Sequence, residues 1–236
     1  MEKIDLFATS LWKKRIDPLE WDKDSFITDV AENYRRDPFR NTWGNDSTFH
    51  HCYDDWENPK FINYDTEKLM RIYGSLINEF IDQLPLKQKP IYRYIIVNVT
   101  ANKGGQYMGT HDHIGGDNNW GCAYSCVHYV TLKDHQPNTT FYNPSIVGQI
   151  IRSLNYLTNF LNLYDIQNSG YSEIWNIPTK EDDFIIFPSY LRHKVEGNWK
   201  EKSPDELRIT VAVNIDFPKD QFPVNFCKDN SLIELL

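Results

Sequence analysis

Residues Leu207–Asp216 read LRITVAVNID, and this segment constrains the chain more than any other. In a strand, side chains alternate between two faces. Leu207, Ile209, Val211, Val213 and Ile215 therefore share one face, and Arg208, Thr210, Ala212, Asn214 and Asp216 the other. A cation opposite an unbroken aliphatic row is not ordinary strand surface. If the aliphatic face packs under helices, the polar face lines a cavity. A cation in a cavity requires a carboxylate, which Arg engages bidentately. Two sources are open at this level: an internal acid such as Asp216, or a small bound acid.

The neighbouring segments say what surrounds that strand. Ser25–Arg36 places Phe26, Ile27, Val30 and Tyr34 on one stripe, which predicts a helix. A longer one, capped by Asp65, carries Leu69, Met70, Tyr73, Leu76, Ile77, Phe80 and Leu84 at helical spacing and stops at Pro85 and Pro90. From Tyr92 the period changes. Tyr92–Thr100, Ala123–Leu132 and Phe184–Phe187 are β-branched, aromatic runs that predict strands. Ile146–Leu163 has Ile150, Ile151, Leu154, Leu157 and Leu161 at helical spacing and predicts a helix inserted between strands. Asn41–Trp56 is rich in aromatics and reads as a loop, either covering the cavity mouth or packed on itself. Helices followed by many short strands give a mainly β, α+β chain. Its natural closed form is a jelly roll (double-stranded β-helix) with flanking N-terminal helices. With no repeat or low-complexity linker, one domain is expected over 1–236. Its helical part covers about 1–90 and its jelly-roll core about 91–220.

Composition removes several function classes. Forty per cent hydrophobic residues exclude disorder as the main state. A net charge of −8 with no Lys/Arg block argues against duplex nucleic acid as a partner. The longest apolar runs fall far short of the ~20 residues of a membrane span. Charges interrupt the start, MEKIDLFATSLWKKRID, so no secretion signal is read and a cytoplasmic protein is expected. Its four cysteines, Cys52, Cys122, Cys126 and Cys227, are then expected as thiols.

Of seven histidines, two form Gly109-Thr-His-Asp-His113, after a strand and a Gly-Gly turn. His111 and His113 point the same way in an extended segment and can share a metal, with Asp112 turned aside. A solvated His-rich loop is the alternative. His193 follows a buried strand and a proline turn in Phe187-Pro-Ser-Tyr-Leu-Arg-His193. An exposed turn histidine is the alternative there.

The order strand, H-x-H, loop, strand, insertion, F-P-S-x-L-x-H and a strand with Arg208-Ile-Thr210 resembles the Fe(II)- and 2-oxoglutarate-dependent oxygenases. More narrowly it is similar to a family of short bacterial and phage members related to prolyl hydroxylases. Leu6-Phe-Ala-Thr9, Asn98, Ser125-Cys-Val-His-Tyr129 and Tyr142-Asn-Pro144 extend the resemblance over essentially the whole chain. It implies Fe(II) on His111, His113 and His193. It also implies 2-oxoglutarate with its distal carboxylate on Arg208, assisted by Thr210 and His128, and Asn98 lining the cavity. Ascorbate is a candidate reductant. The partners implied are 2-oxoglutarate, O2 and an unidentified prime substrate that is hydroxylated. The setting implied is the cytoplasm of a bacterial or phage-infected host cell, with a homodimer as a compatible assembly. Three departures stand out. Ile114 replaces the usual Pro, Cys126 replaces a Gly, and His128 replaces a Tyr that in related enzymes helps hold the far carboxylate. His128 is then expected to inherit that role, with a satisfied core histidine as the alternative. Asn98 is expected to face the same way as Tyr94 and Ile96. Two rivals keep the fold: a three-histidine cupin-like dioxygenase that needs no 2-oxoglutarate, and an inactive jelly-roll binding module.

Overall fold

The structure, a computed structural model, describes residues 9–41, 47–52, 58–115, 119–145, 172–203 and 206–219. Both predicted N-terminal helices are present. α1 (Lys23–Arg36) buries Phe26, Val30 and Tyr34. α2 (Glu67–Gln83) buries Leu69, Tyr73, Ile77, Phe80 and Ile81. Asp65 Oδ1 accepts from the Glu67 amide at 3.1 Å, satisfying one N–H that the first turn leaves without a partner. α2 ends where Leu84 turns extended ahead of Pro85. The predicted helix Ile146–Leu163 lies outside the described residues.

The strands are β1 (Trp12–Arg15), β2 (Phe49–Cys52), β3 (Arg93–Asn102), β4 (Met108–His111), β5 (Trp120–Thr131), β6 (Thr139–Tyr142), β7 (Ile174–Asn176), β8 (Asp183–Pro188), β9 (His193–Val195) and β10 (Arg208–Pro218). They form two antiparallel sheets. The larger has the order β1-β8-β5-β10-β3-β2 and the smaller β4-β9-β6-β7. This is the double-stranded β-helix expected from the strand pattern. β2 lies within the segment read as a loop. All four of its residues are buried, because it extends the larger sheet by pairing with β3. The segment's remaining aromatics, Trp43, Tyr53 and Trp56, lie outside the described residues.

β10 sits at the centre of the larger sheet and keeps its alternation. Leu207, Ile209, Val211, Val213 and Ile215 join one core cluster with Phe26, Val30, Leu69, Tyr73, Ile77 and Phe80 of the helices. A second apolar cluster lies between the sheets: Val127, Tyr129, Leu132, Phe141, Ile185, Phe187 and Leu191. Thr210 stands opposite Tyr129 and Thr100, so the polar face of β10 looks into that space. The helices thus bury the aliphatic face, and Arg208 is left inside the jelly roll.

One face assignment changes. Ala212 pairs with Asn98 but Val213 pairs with Ile96, so Val97 is an extra residue on β3. Such a bulge reverses the facing of everything beyond it. Tyr94 and Ile96 pack with the helix-side cluster, whereas Asn98 turns inward and bonds His50 at 2.6 Å. Asn98 therefore does not face with Tyr94 and Ile96 as the plain alternation predicted.

Candidate functional site

Two sequence phrases meet where β4 pairs with β9, and His111 stands directly opposite His193. Each residue of Phe187-Pro-Ser-Tyr-Leu-Arg-His193 that matches the motif has a physical task here. The Phe187 ring packs 5.0 Å from the His193 ring. Pro188 ends β8. Ser189 ties two elements together: its carbonyl accepts from the His113 amide at 2.8 Å, and its hydroxyl donates to Cys122 O at 2.8 Å. Leu191 is buried in the inner cluster, and its carbonyl lies 2.9 Å from His193 Nδ1. The Gly-Gly turn before β4 has a similar account. Gly105 adopts φ +84°, and a Cβ on Gly104 would meet Trp199 O at 2.3 Å.

One ring nitrogen from each of His111, His113 and His193 lies within 4.8 Å of the other two, a spacing at which one metal ion can take a ligand from each. Asp112 is turned aside, its carboxylate accepting from the Ile114 amide at 3.2 Å. The three Nδ1 atoms each lie against an oxygen. These are Gly109 O at 2.8 Å for His111, Leu191 O at 2.9 Å for His193 and Asn214 Oδ1 at 3.2 Å for His113. A ring that donates from Nδ1 carries its lone pair on Nε2, the tautomer a metal needs. Burial, with the neighbouring imidazole charges second, pulls His113 down to about 4 and His193 well below the ordinary range. These rings are thus neutral at pH 7, as ligands must be. The donor set fits a dication that accepts imidazole nitrogen, such as Fe(II).

Arg208 is 1% exposed. Its Nε donates to Pro137 O at 3.0 Å, one NH2 lies 3.4 Å from Thr139 Oγ1, and the guanidinium sits 5.5 Å above the Tyr129 ring. Among the described residues no carboxylate meets it. Asp216, the internal candidate, pairs with Arg93 at 3.0 Å. A buried guanidinium without an internal counter-charge fits a carboxylate ligand. Thr210 lies beside it on the same face and shares a 2.6 Å hydrogen bond with Thr100. Asn102, opposite Arg208 on β3, is 1% exposed with neither carboxamide atom partnered. Asn98, also on the inner face, is buried and its Oδ1 is unpartnered.

His128 is not part of this pocket. It packs on the helix side, 2.9 Å from Tyr73 Oη and 5.6 Å from the Trp21 ring centroid, and burial drives it down to about 3. β5 alternates, so the inward position belongs to the next residue, Tyr129, whose hydroxyl donates to Thr139 at 2.7 Å. Tyr129 is the second tyrosine of the resembled S-G-x-Y-Y phrase, and it, not His128 in the place of the first, occupies the inner face. Tyr129, Thr139, Asn102, Ser125 and Asn214 are the inner-face residues missed from sequence. Thr139 and Asn102 carry no sequence signal, whereas Asn214 was visible on the polar face of β10. A separate cleft of about 690 Å³, lined by Ile27, Leu132, Lys133, Glu181, Glu206 and Leu207 among others, lies on the helix side and includes none of these groups.

Comparison with known proteins agrees with this architecture. Among solved structures, the chain is similar to the non-heme alpha ketoglutarate dependent carbocyclase SnoK from nogalamycin biosynthesis. That match has 12% identity, 89% of this chain and 80% of that chain covered, and a TM-score of 0.52. It is similar to HygX from Streptomyces hygroscopicus with nickel, 2-oxoglutarate and hygromycin B bound (10% identity, 90% and 84% covered, TM-score 0.50). A third match is the viral collagen prolyl hydroxylase vCPH from Paramecium Bursaria Chlorella virus-1 (15% identity, 88% and 96% covered, TM-score 0.48). The search of curated protein sequences gives no match. A family model described as "Putative 2OG-Fe(II) oxygenase" matches residues 97–214, half of the chain, running from the bulge in β3 to Asn214. The chain therefore belongs to that 2OG-Fe(II) oxygenase family, whose cofactors are Fe(II) and 2-oxoglutarate.

Proposed function

We propose that the protein is a hydroxylase, using O2 and 2-oxoglutarate to oxidise a C–H bond of a prime substrate yet to be identified. The observation that carries this reading is the pairing of features on one inner surface: three convergent imidazoles and a buried arginine that meets no carboxylate among the described residues.

His111, His113 and His193 would hold Fe(II) through Nε2, which replaces the usual carboxylate ligand by a third neutral imidazole. Arg208 would pair with the distal carboxylate of 2-oxoglutarate. Tyr129 and Thr139 hold the guanidinium in place, and Thr210, Asn102 and Asn98 offer further polar contacts beside it. With Fe(II) and 2-oxoglutarate bound, O2 would supply the oxidising equivalents: one oxygen atom would enter succinate as the keto acid loses CO2, and the other would enter the substrate C–H bond. The protein's part is to orient and to exclude water. Phe141, Phe187 and Leu191 pack against or beside the histidine rings and keep that side dry. The catalytic unit is the single domain 1–236, acting in the cytoplasm.

The test is anaerobic titration of the Fe(II)-loaded protein with 2-oxoglutarate, followed by succinate assay on admission of O2. A metal-to-ligand absorbance band together with succinate supports the reading. Iron binding without that band favours the three-histidine dioxygenase. No iron binding favours the inactive module.

A further inference from the structure

We propose that Asn214 is the positioning residue that fixes His113 as a metal ligand, and that Ser125 sets the orientation in which it does so. The inference rests on the reading of His111, His113 and His193 as an iron site.

Asn214 lies on the inner face of β10, directly opposite Ser125 of β5. Its Oδ1 is 3.2 Å from His113 Nδ1 and accepts from Ser125 Oγ at 3.1 Å. A carboxamide can present oxygen or nitrogen to a neighbour. In the structure the serine hydroxyl donates to the oxygen, so the oxygen is also the atom that faces His113. His113 must then donate from Nδ1, which leaves Nε2 as the ligand atom.

The three rings differ in how they are held. His111 and His193 bond the main-chain carbonyl two residues earlier, so their tautomers are set by local backbone. His113 depends on a side chain far away in sequence, on another strand. It is also the ring that stands where a carboxylate is usual, so the least conventional ligand is oriented by a replaceable group. A carboxylate would accept the same hydrogen bond more strongly than the carboxamide. Asn214→Asp is therefore a conservative rescue, and Asn214→Ala is the loss.

The experiment uses full-length protein with 15N-labelled histidine. Ring-nitrogen shifts are recorded metal-free near neutral pH, and anaerobic Fe(II) affinity is measured separately. Wild type should show His113 as the Nδ1–H tautomer. Asn214→Ala should move His113 toward Nε2–H while His111 and His193 stay put, and Fe(II) affinity should fall about 10- to 100-fold, as for other residues that orient metal ligands. Asn214→Asp should keep the tautomer and bind Fe(II) at least as tightly as wild type. Ser125→Ala should give an intermediate shift. Wild-type His113 in the Nε2–H form, or an Asn214→Ala protein unchanged in both tautomer and Fe(II) affinity, would overturn the proposal while leaving the iron reading intact. If the tautomers behave as expected but wild type binds no Fe(II), the iron reading fails and the ligand-positioning role falls with it.

Discussion

Arg208→Met distinguishes a ligand-binding cation from a structural one by the sign of its effect. Arg208 is 1% exposed, with one sound hydrogen bond, to Pro137 O at 3.0 Å, and a cation–π contact with Tyr129. Burial lowers its pKa, which means the interior disfavours the charge. Losing the hydrogen bond costs about 1.5–3 kcal/mol for a charged donor. The cation–π contact adds about 0.5–2 kcal/mol. Against this stands an uncompensated desolvation penalty of several kcal/mol for a buried ion. The terms nearly cancel or favour Met. The ligand-free variant should then match or exceed wild type in thermal stability.

Adding 2-oxoglutarate reverses the order. Saturation at about 100 times Kd stabilises wild type by about 2.7 kcal/mol. Losing a charge-assisted contact of about 1.5–3 kcal/mol should weaken 2-oxoglutarate ten- to a hundredfold or more in Arg208→Met. Arg208→Lys should fall between, keeping the charge without the bidentate fork. The assay is thermal unfolding with and without 2-oxoglutarate, alongside the absorbance of the anaerobic Fe(II) complex. If Arg208→Met instead loses about 3–5 kcal/mol, as when a buried ion pair is broken, with 2-oxoglutarate affinity unchanged, the reasoning is wrong.

Fe(II) titration should show His111→Ala and His193→Ala losing iron, His135→Ala unaffected, and His113→Asp binding at least as tightly as wild type. Equal affinities across the alanine variants would remove the assignment. His128 is held at about 3 against an ordinary 6.5, so between those values the unfolded chain binds the proton that the folded one refuses. Its stabilising contribution is present above pH 6.5 and is lost as pH falls toward 3. His128→Gln should therefore flatten the acid side of the stability curve by up to about 1.4 kcal/mol per pH unit, read from denaturant midpoints at several pH values. Gly104→Ala should cost about 1–3 kcal/mol, because its Cβ would collide with the Trp199 carbonyl and push on the turn that leads into β4. An unchanged melting temperature would show that the turn gives way freely.

Much of this architecture was legible because β10 is a regular strand. Its alternation alone placed five aliphatic side chains under the helices and Arg208 inside, and the structure agrees. Asn98 and His128 mark where such reading fails. Val97 is an inserted residue, invisible in composition or period, and it reverses the face of everything beyond it on β3. His128 was aligned to a motif tyrosine by order along the chain, but the pleat gives the inward place to Tyr129. Partners supplied by distant strands, such as Thr139 to Arg208, exist only after folding and leave no local trace. The H-x-H and F-P-S-x-L-x-H phrases were legible for the opposite reason. Their main-chain locks, Gly109 O to His111 and Leu191 O to His193, are contained within the phrases themselves.

The charge of the inner surface limits what it can hold. The oxygens that orient the three rings are two main-chain carbonyls and one carboxamide, all uncharged. A dication on three neutral imidazoles would keep both of its charges, and Arg208 adds a third with no anion to offset it among the described residues. In a low-dielectric interior such a pair of cationic points favours a dianion that can reach both over either point's separate monoanion, because one molecule neutralises two sites for a single loss of translational freedom. A short dicarboxylate meets that demand. In a site with the usual carboxylate ligand, one charge is already cancelled at the metal. With His113 in that place, as proposed, the balance of the same pocket would shift: looser attraction for the cation, stronger attraction for the acid that follows it.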